Sequence, residues 1–170
     1  METAILAGGC FWCTEAIFKR LKGVKEVISG YSGGKLNNPS YEQVSLGSTN
    51  HTEAIKIEFD PSVVSYETLL EVFFRLHDPT TLNQQGADVG TQYRSAIFYT
   101  NETQKNIAEK LKSKIKNAVT EISKFEEFFP AEGYHQNYYE QNKNAVYCKV
   151  VIDPKIKKLY KEFGNITNEK

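Results

Sequence analysis

The chain has 170 residues and carries 21 basic against 21 acidic side chains, a formal charge of zero. Nucleic acid is therefore a poor partner, since its binding depends on excess positive charge, and no window reaches the ~18 apolar residues of a membrane span. The N-terminus lacks the basic-then-apolar order of a secretory signal, and three cysteines are too few for a disulfide scaffold, which points to a reducing cytoplasm.

A chain of this length fits one domain, 1–170, with a full core. In chain order, the apolar run Ala4-Ile5-Leu6-Ala7 reads as a strand and Gly8-Gly9 as a turn. Residues 10–22 read as a helix with Cys13, Ile17 and Leu21 spaced four apart on one stripe. Val24 to Tyr31 reads as a strand, followed by a loop over 32–40 rich in Gly, Asn, Pro and Ser. Residues 53–59 alternate: Ile55, Ile57 and Phe59 share one face, Lys56 and Glu58 the other, and Asp60-Pro61 ends the strand.

Ser65 is placed to cap a helix reaching Leu76. Residues 77–93 form a long polar loop, of a kind that is usually functional inside a compact domain. Ser95 to Tyr99 reads as a strand, and Asn101 with Gln104 resembles a capping box opening a helix through Leu111 and Ile115. The chain is then aromatic-rich and irregular from Phe125 to Tyr139. Val150 to Ile152 reads as a short strand, and Asp153-Pro154 opens a last helix. The expected fold is α+β: a two-layer sandwich of a mixed or antiparallel sheet with helices packed on it, ferredoxin-like, with an irregular C-terminal segment.

Chemistry concentrates at residues 8–15, Gly-Gly-Cys-Phe-Trp-Cys-Thr-Glu. A strand–glycine–helix order puts Cys10 at a helix N-terminus, where free N–H groups and the dipole favour a thiolate. Cys13 completes a Cys-x-x-Cys pair, consistent with redox chemistry or half a zinc site. There is no second such pair and the histidines, His51, His77 and His135, are scattered, so no metal is expected. Cys13 also lies on the apolar stripe, where it could be a plain core residue; Cys148 has no partner by sequence alone. Glu53 shares parity with Ile55 and Ile57, so on a strand that includes it the carboxyl faces inward, where desolvation favours the protonated acid; if the strand begins at Ala54, Glu53 is instead a solvated residue. Phe11 and Trp12 could form an apolar wall beside Cys10. Tyr41 and Tyr93 lie in or beside loops, two of 10 tyrosines.

The string Gly-Cys-Phe-Trp-Cys-Thr-Glu resembles the signature of the A-type peptide methionine sulfoxide reductases. Further blocks resemble that family in the same order: Gly30-Tyr31-Ser32-Gly33-Gly34 with Asn38 to Val44, His51-Thr52-Glu53 leading to Phe59-Asp60-Pro61, Asp88 to Ser95, and Tyr134-His135-Gln136 with Tyr138-Tyr139. The resemblance spans about residues 3–164. It implies that Cys10 is the nucleophile and Glu53 the acid, with Tyr41 and Tyr93 binding the sulfoxide oxygen. Asp88 would hold the substrate backbone, and Phe11 and Trp12 the S-methyl group.

The implied reaction reduces methionine S-sulfoxide in peptides and proteins, and the free amino acid, through a Cys10 sulfenic acid and an intramolecular disulfide. Thioredoxin, or dithiothreitol in vitro, would recycle the enzyme, with no bound cofactor. The resolving thiol is Cys148 or Cys13, with Cys148 preferred because its position matches the family's C-terminal resolving cysteine. A monomer is expected. Three other readings stand beside this one: a thioredoxin-type oxidoreductase using Cys10 and Cys13, a non-catalytic binder of oxidised methionine, and a metal-binding module.

Overall fold

A computed structural model of the chain describes residues 1–168. Its strands are β1 (Glu2–Ala7), β2 (Val24–Ser32), β3 (Thr52–Phe59), β4 (Gln84–Gln85), β5 (Asp88–Val89), β6 (Ala96–Tyr99), β7 (Glu121–Lys124) and β8 (Phe128–Pro130). Six of them form one sheet in the order β7-β6-β1-β3-β2-β8, while β4 and β5 pair as a small hairpin. Every neighbouring pair in the large sheet is antiparallel except β6 and β7. The helices are α1 (Phe11–Phe18), α2 (Tyr41–Ser45), α3 (Tyr66–Leu76), α4 (Glu102–Ser113), α5 (Tyr138–Gln141) and α6 (Asp153–Phe163). The fold is thus α+β with a mixed sheet. Helix α1 connects β1 to β2 with β3 paired between them, and α3 connects β3 to β6 with β1 between them.

The sheet is buried on both faces. Ala4, Leu6, Ile55, Ile57, Phe59 and Ile97 pack against apolar residues of α1, α3, α4 and α6. On the other face Ile5, Ala7, Ala54, Ala96 and Phe98 meet Phe125 and Phe128. That double burial is why β1 reads as a continuous apolar run, not as an alternating one. The alternation of β3 is real, and it carries Glu53 onto the helix-covered face, opposite Tyr31 in register.

Three elements differ from their sequence reading. Helix α1 stops at Phe18, not at residue 22, and Leu21 instead forms an isolated bridge with Thr167. Helix α2 lies at the end of what reads as loop, started by a capping box between Ser40 and Gln43. Val150 to Ile152 is not a strand. Residues Cys148–Ile152 form a π-helical turn that runs directly into α6. Pro154 has no amide hydrogen for the carbonyl four residues back and its ring would crowd that carbonyl; a wider turn relieves the clash. Packing of Cys148 and Ile152 into a buried cluster overrides the β preference of Val150 and Val151.

Strand β8 matters to the site because residues 131–138 follow it directly. Gly30 on β2 makes that pairing possible: a Cβ there would lie 2.4 Å from the Phe129 carbonyl and 2.4 Å from the Phe128 ring. Gly30→Ala should therefore push β8 off the sheet edge, lowering stability by about 1–3 kcal/mol. A urea titration measures this, and activity should fall with it because the site segment shifts.

Candidate active site

The chain leaves β1 through Gly8-Gly9, where Gly9 has φ +88 and a Cβ would lie 2.6 Å from Gln85 Cγ. Only glycine meets both demands without strain. Cys10 is the residue that caps α1; its backbone is extended (φ −60, ψ 128) and its carbonyl accepts the Cys13 amide at 3.1 Å. The next amide, Phe11 N–H, donates to Glu53 Oε1 at 3.1 Å. The carboxyl from β3 thus satisfies one of the orphan amides of the helix start and sits beside the cysteine.

Glu53 is 2% exposed, and burial pushes its carboxyl up to about 8; the charges of Asp88 and Cys13 add to this, while the Phe11 amide and Cys10 oppose it. The inward acid expected from β3 parity is therefore neutral at physiological pH. Cys10 departs from its sequence reading. Burial is the largest influence on the thiol and, with the neighbouring Cys13 and Glu53, raises it well above the ordinary cysteine range, outweighing the Trp12 amide that favours the anion. In the free protein Cys10 is a thiol, not a helix-stabilised thiolate. It hydrogen-bonds with Cys13, whose own thiol is pulled down to about 7, chiefly by that bond.

Aromatic residues from distant segments close around this pair. Trp12 stacks on Tyr138 with centroids 3.7 Å apart and planes 7° apart, and meets Tyr147 edge-on at 5.7 Å. Its indole N–H donates to His135 Nδ1 at 3.0 Å. His135 in turn lies 4.3 Å from the Tyr41 ring and 5.1 Å from Phe11. Phe11 is fully buried in the main core, so of the two aromatics after Cys10 only Trp12 presents surface. Truncating His135 to alanine removes the acceptor that orients the indole. The expected result in steady-state kinetics is a KM raised up to about tenfold with kcat less affected, the size of one hydrogen bond.

Tyr41 begins α2, where Glu132 accepts its amide at 2.9 Å and the Tyr31 hydroxyl at 2.9 Å. Tyr93 ends the short 3-10 turn after β5. Burial comes first in raising both phenols above their ordinary value, and both feel the charges of Glu53 and Cys10. Tyr41 and Tyr93 thus both lie within electrostatic reach of Cys10 and Glu53. Asp88, on β5, accepts the Tyr147 hydroxyl at 2.9 Å. Cys10, Cys13 and Cys148 are all free thiols and share one buried cluster with Ala16 and Ile152.

Sequence reasoning gives no role to His135, Tyr138, Tyr147 or Glu132, although the first two lie in a block that resembles the family. Each acts through contacts more than 90 residues apart in the chain, which no local pattern reveals. The other histidines are structural. His51 clamps the turn after β2 through the Gly34 amide and Leu36 carbonyl, and His77 bonds the Phe73 carbonyl and Ser95.

A buried thiol beside a neutral carboxyl held on the next amide, with phenols and a stacked indole nearby, defines a thiol-dependent oxidoreductase site that can protonate an oxygen as sulfur attacks. The chain matches the family model described as peptide methionine sulfoxide reductase over residues 2–167. It is 57% identical to the peptide methionine sulfoxide reductase MsrA of Sulfolobus acidocaldarius, covering 96% of both chains. Against MsrA of Acinetobacter baumannii strain SDF it is 51% identical over 99% of both. Among solved structures it resembles reduced Mxr1 of Saccharomyces cerevisiae (TM-score 0.77, 34% identity, 86% of this chain and 88% of that one). A second similar structure is methionine sulfoxide reductase A of Corynebacterium diphtheriae (TM-score 0.77, 32% identity, 85% and 76%). The chain belongs to the peptide methionine sulfoxide reductase family, A type, and is an oxidoreductase that reduces methionine sulfoxide.

Proposed function

We propose that Cys10 is the nucleophile and Glu53 the proton donor in reduction of the S epimer of methionine sulfoxide in peptides and proteins. The observation that carries this is a buried Glu53 carboxyl anchored on the Phe11 amide, directly beside the buried Cys10 at the α1 N-terminus. A sulfoxide sulfur is a poor electrophile until its oxygen is protonated. Glu53 gives its proton to that oxygen while Tyr41 and Tyr93 donate hydrogen bonds to the charge developing there. The Cys10 sulfur bonds to the sulfoxide sulfur and its thiol proton passes to Glu53. Collapse of the adduct releases methionine and leaves oxygen on Cys10 as a sulfenic acid, so sulfoxide and thiol become sulfide and sulfenic acid with no net proton.

Trp12 serves as the wall against the S-methyl group, Phe11 supports it from behind, and Asp88 accepts the peptide N–H of the substrate. A second thiol of the same cluster, Cys13 or Cys148, converts the sulfenic acid to a disulfide. Thioredoxin is the reductant we assign to that disulfide, with dithiothreitol as its substitute in vitro; Mxr1 of Saccharomyces cerevisiae has been solved in complex with Trx2. The reading needs no bound cofactor, and among the described residues no cluster of His, Cys, Asp or Glu side chains could hold a metal ion. We assign the protein to the cytoplasm from its family resemblance; separately, no helix among the described residues is long and apolar enough to cross a membrane. The test is a peptide carrying a mixture of the two sulfoxide epimers, supplied with thioredoxin, its reductase and NADPH. Consumption should stop when the S epimer is exhausted; loss of the R epimer at a similar rate would contradict the assignment.

A further inference from the structure

Tyr147 joins two parts of the site that the reaction uses at different moments. Its hydroxyl donates to Asp88 Oδ2 at 2.9 Å and lies 3.5 Å from Cys13 Sγ, while its ring stands edge-on to Trp12 at 5.7 Å. Cys10 and Cys13 lie in one buried cluster, and the Cys13 amide donates to the Cys10 carbonyl at 3.1 Å. Cys13 is therefore the thiol one helical turn from the reacting sulfur, in the same buried cluster. Cys148 is fully buried at the head of the π turn and is held there by the packing that turns the chain into α6.

We propose that Cys13 is the thiol that first resolves the Cys10 sulfenic acid, and that Tyr147 is the positioning residue that readies it. This rests on the reading of Cys10 as the sulfenic acid-bearing residue. A phenol has one proton and two lone pairs. While Asp88 takes the proton, the Tyr147 oxygen can accept the Cys13 S–H and hold that sulfur in place. Once Cys13 gives up its proton, the O–H turns from carboxylate to sulfur and stabilises the thiolate.

The Cys13 thiolate then attacks the Cys10 sulfenic sulfur. The S–S bond forms, the S–O bond breaks, and the oxygen leaves as water with one proton from Glu53, which the Cys13 proton replaces. Cys10 and Cys13 end as a disulfide for an external dithiol to reduce. The depressed Cys13 thiol supports this order: its proton is drawn off chiefly by the Cys10 bond, against its own burial, with help from Lys155 and Tyr147.

The experiment is one turnover with a methionine-S-sulfoxide peptide and no reductant, quenched over time, in the wild-type chain and in Tyr147→Phe. Phenylalanine keeps the ring against Trp12 and removes only the hydroxyl. The wild-type disulfide should map to Cys10–Cys13. In Tyr147→Phe at saturating peptide, the disulfide should form about tenfold or more slowly, the size of one hydrogen bond to a charged sulfur, and this loss should exceed any change in methionine release. Sulfenic acid should accumulate at Cys10 meanwhile, and thiolate absorption should appear at higher pH than in the wild type.

A wild-type disulfide joining Cys10 to Cys148 would overturn the role of Cys13. An unchanged disulfide rate and thiolate titration in Tyr147→Phe would overturn the role of Tyr147. Methionine released with no oxidation of Cys10 would refute the underlying nucleophile assignment instead, and the disulfide map separates that case from the other two.

Discussion

Cys10→Ser should reduce methionine sulfoxide no faster than the uncatalysed level, while the protein stays folded. A serine hydroxyl is a far weaker nucleophile toward sulfur, and it cannot take the oxygen as a sulfenic acid. The fold survives because Cys10 caps α1 through its carbonyl and its extended backbone, which serine shares, and no side-chain bond of Cys10 caps the helix. Serine is also among the preferred residues at that position. The check is methionine release by chromatography beside a circular dichroism spectrum. Substantial turnover by the serine protein would remove Cys10 from the chemistry.

Glu53→Gln should slow the reaction by about 10²–10⁴, the usual contribution of a positioned general acid. Glutamine retains a hydrogen bond donor and nearly the same shape, so the loss isolates proton delivery. The pH dependence follows from the same group. With its carboxyl pushed up to about 8, Glu53 is the neutral donor below that pH and loses its proton above it. The wild-type kcat/KM should fall on the alkaline side with an apparent pKa near that value, and this limb should vanish in Glu53→Gln.

Stability should move in the opposite direction. Glu53 titrates from an ordinary 4.5 up to about 8 on folding, so the folded chain holds the proton more tightly than the unfolded one. Its contribution is fully present below pH 4.5 and is lost as pH rises through 8. At pH 7 the buried acid therefore costs on the order of 3 kcal/mol relative to a neutral side chain. Glu53→Gln should accordingly melt higher than the wild type, by a margin that widens from pH 5 to pH 8. A margin that stays flat with pH would mean that Glu53 is already ionised in the fold. The site thus trades stability for a protonated donor.

How much of this was legible in the sequence differed from one residue to the next, for physical reasons. Strand parity marks the inward face for Glu53, but only the start of β3 at Thr52 decides between that and a solvated carboxyl, and the start is not a local signal. The caps of α3 and α4 were visible because a cap is a local signal: Ser65 and Asn101 accept the amides three residues ahead. The protonation of Cys10 was misread because the helix N-terminus is visible in sequence and the burial that outweighs it is not. The turn at Val150 and Val151 was misread because two β-branched residues outvote a proline until the packing of Cys148 and Ile152 is known. Residues that orient Trp12 and Tyr41 were silent because their contacts reach from residues 132–147 back to the first third of the chain.

The most direct test of the central claim is the stoichiometry of one turnover in the reduced wild-type protein without reductant. Thiols are counted and the oxidised cysteines mapped by mass spectrometry. The account predicts one methionine formed and two thiols lost per chain, with Cys10 in the resulting disulfide. Methionine formed without thiol loss, or a disulfide that leaves Cys10 reduced, would contradict it.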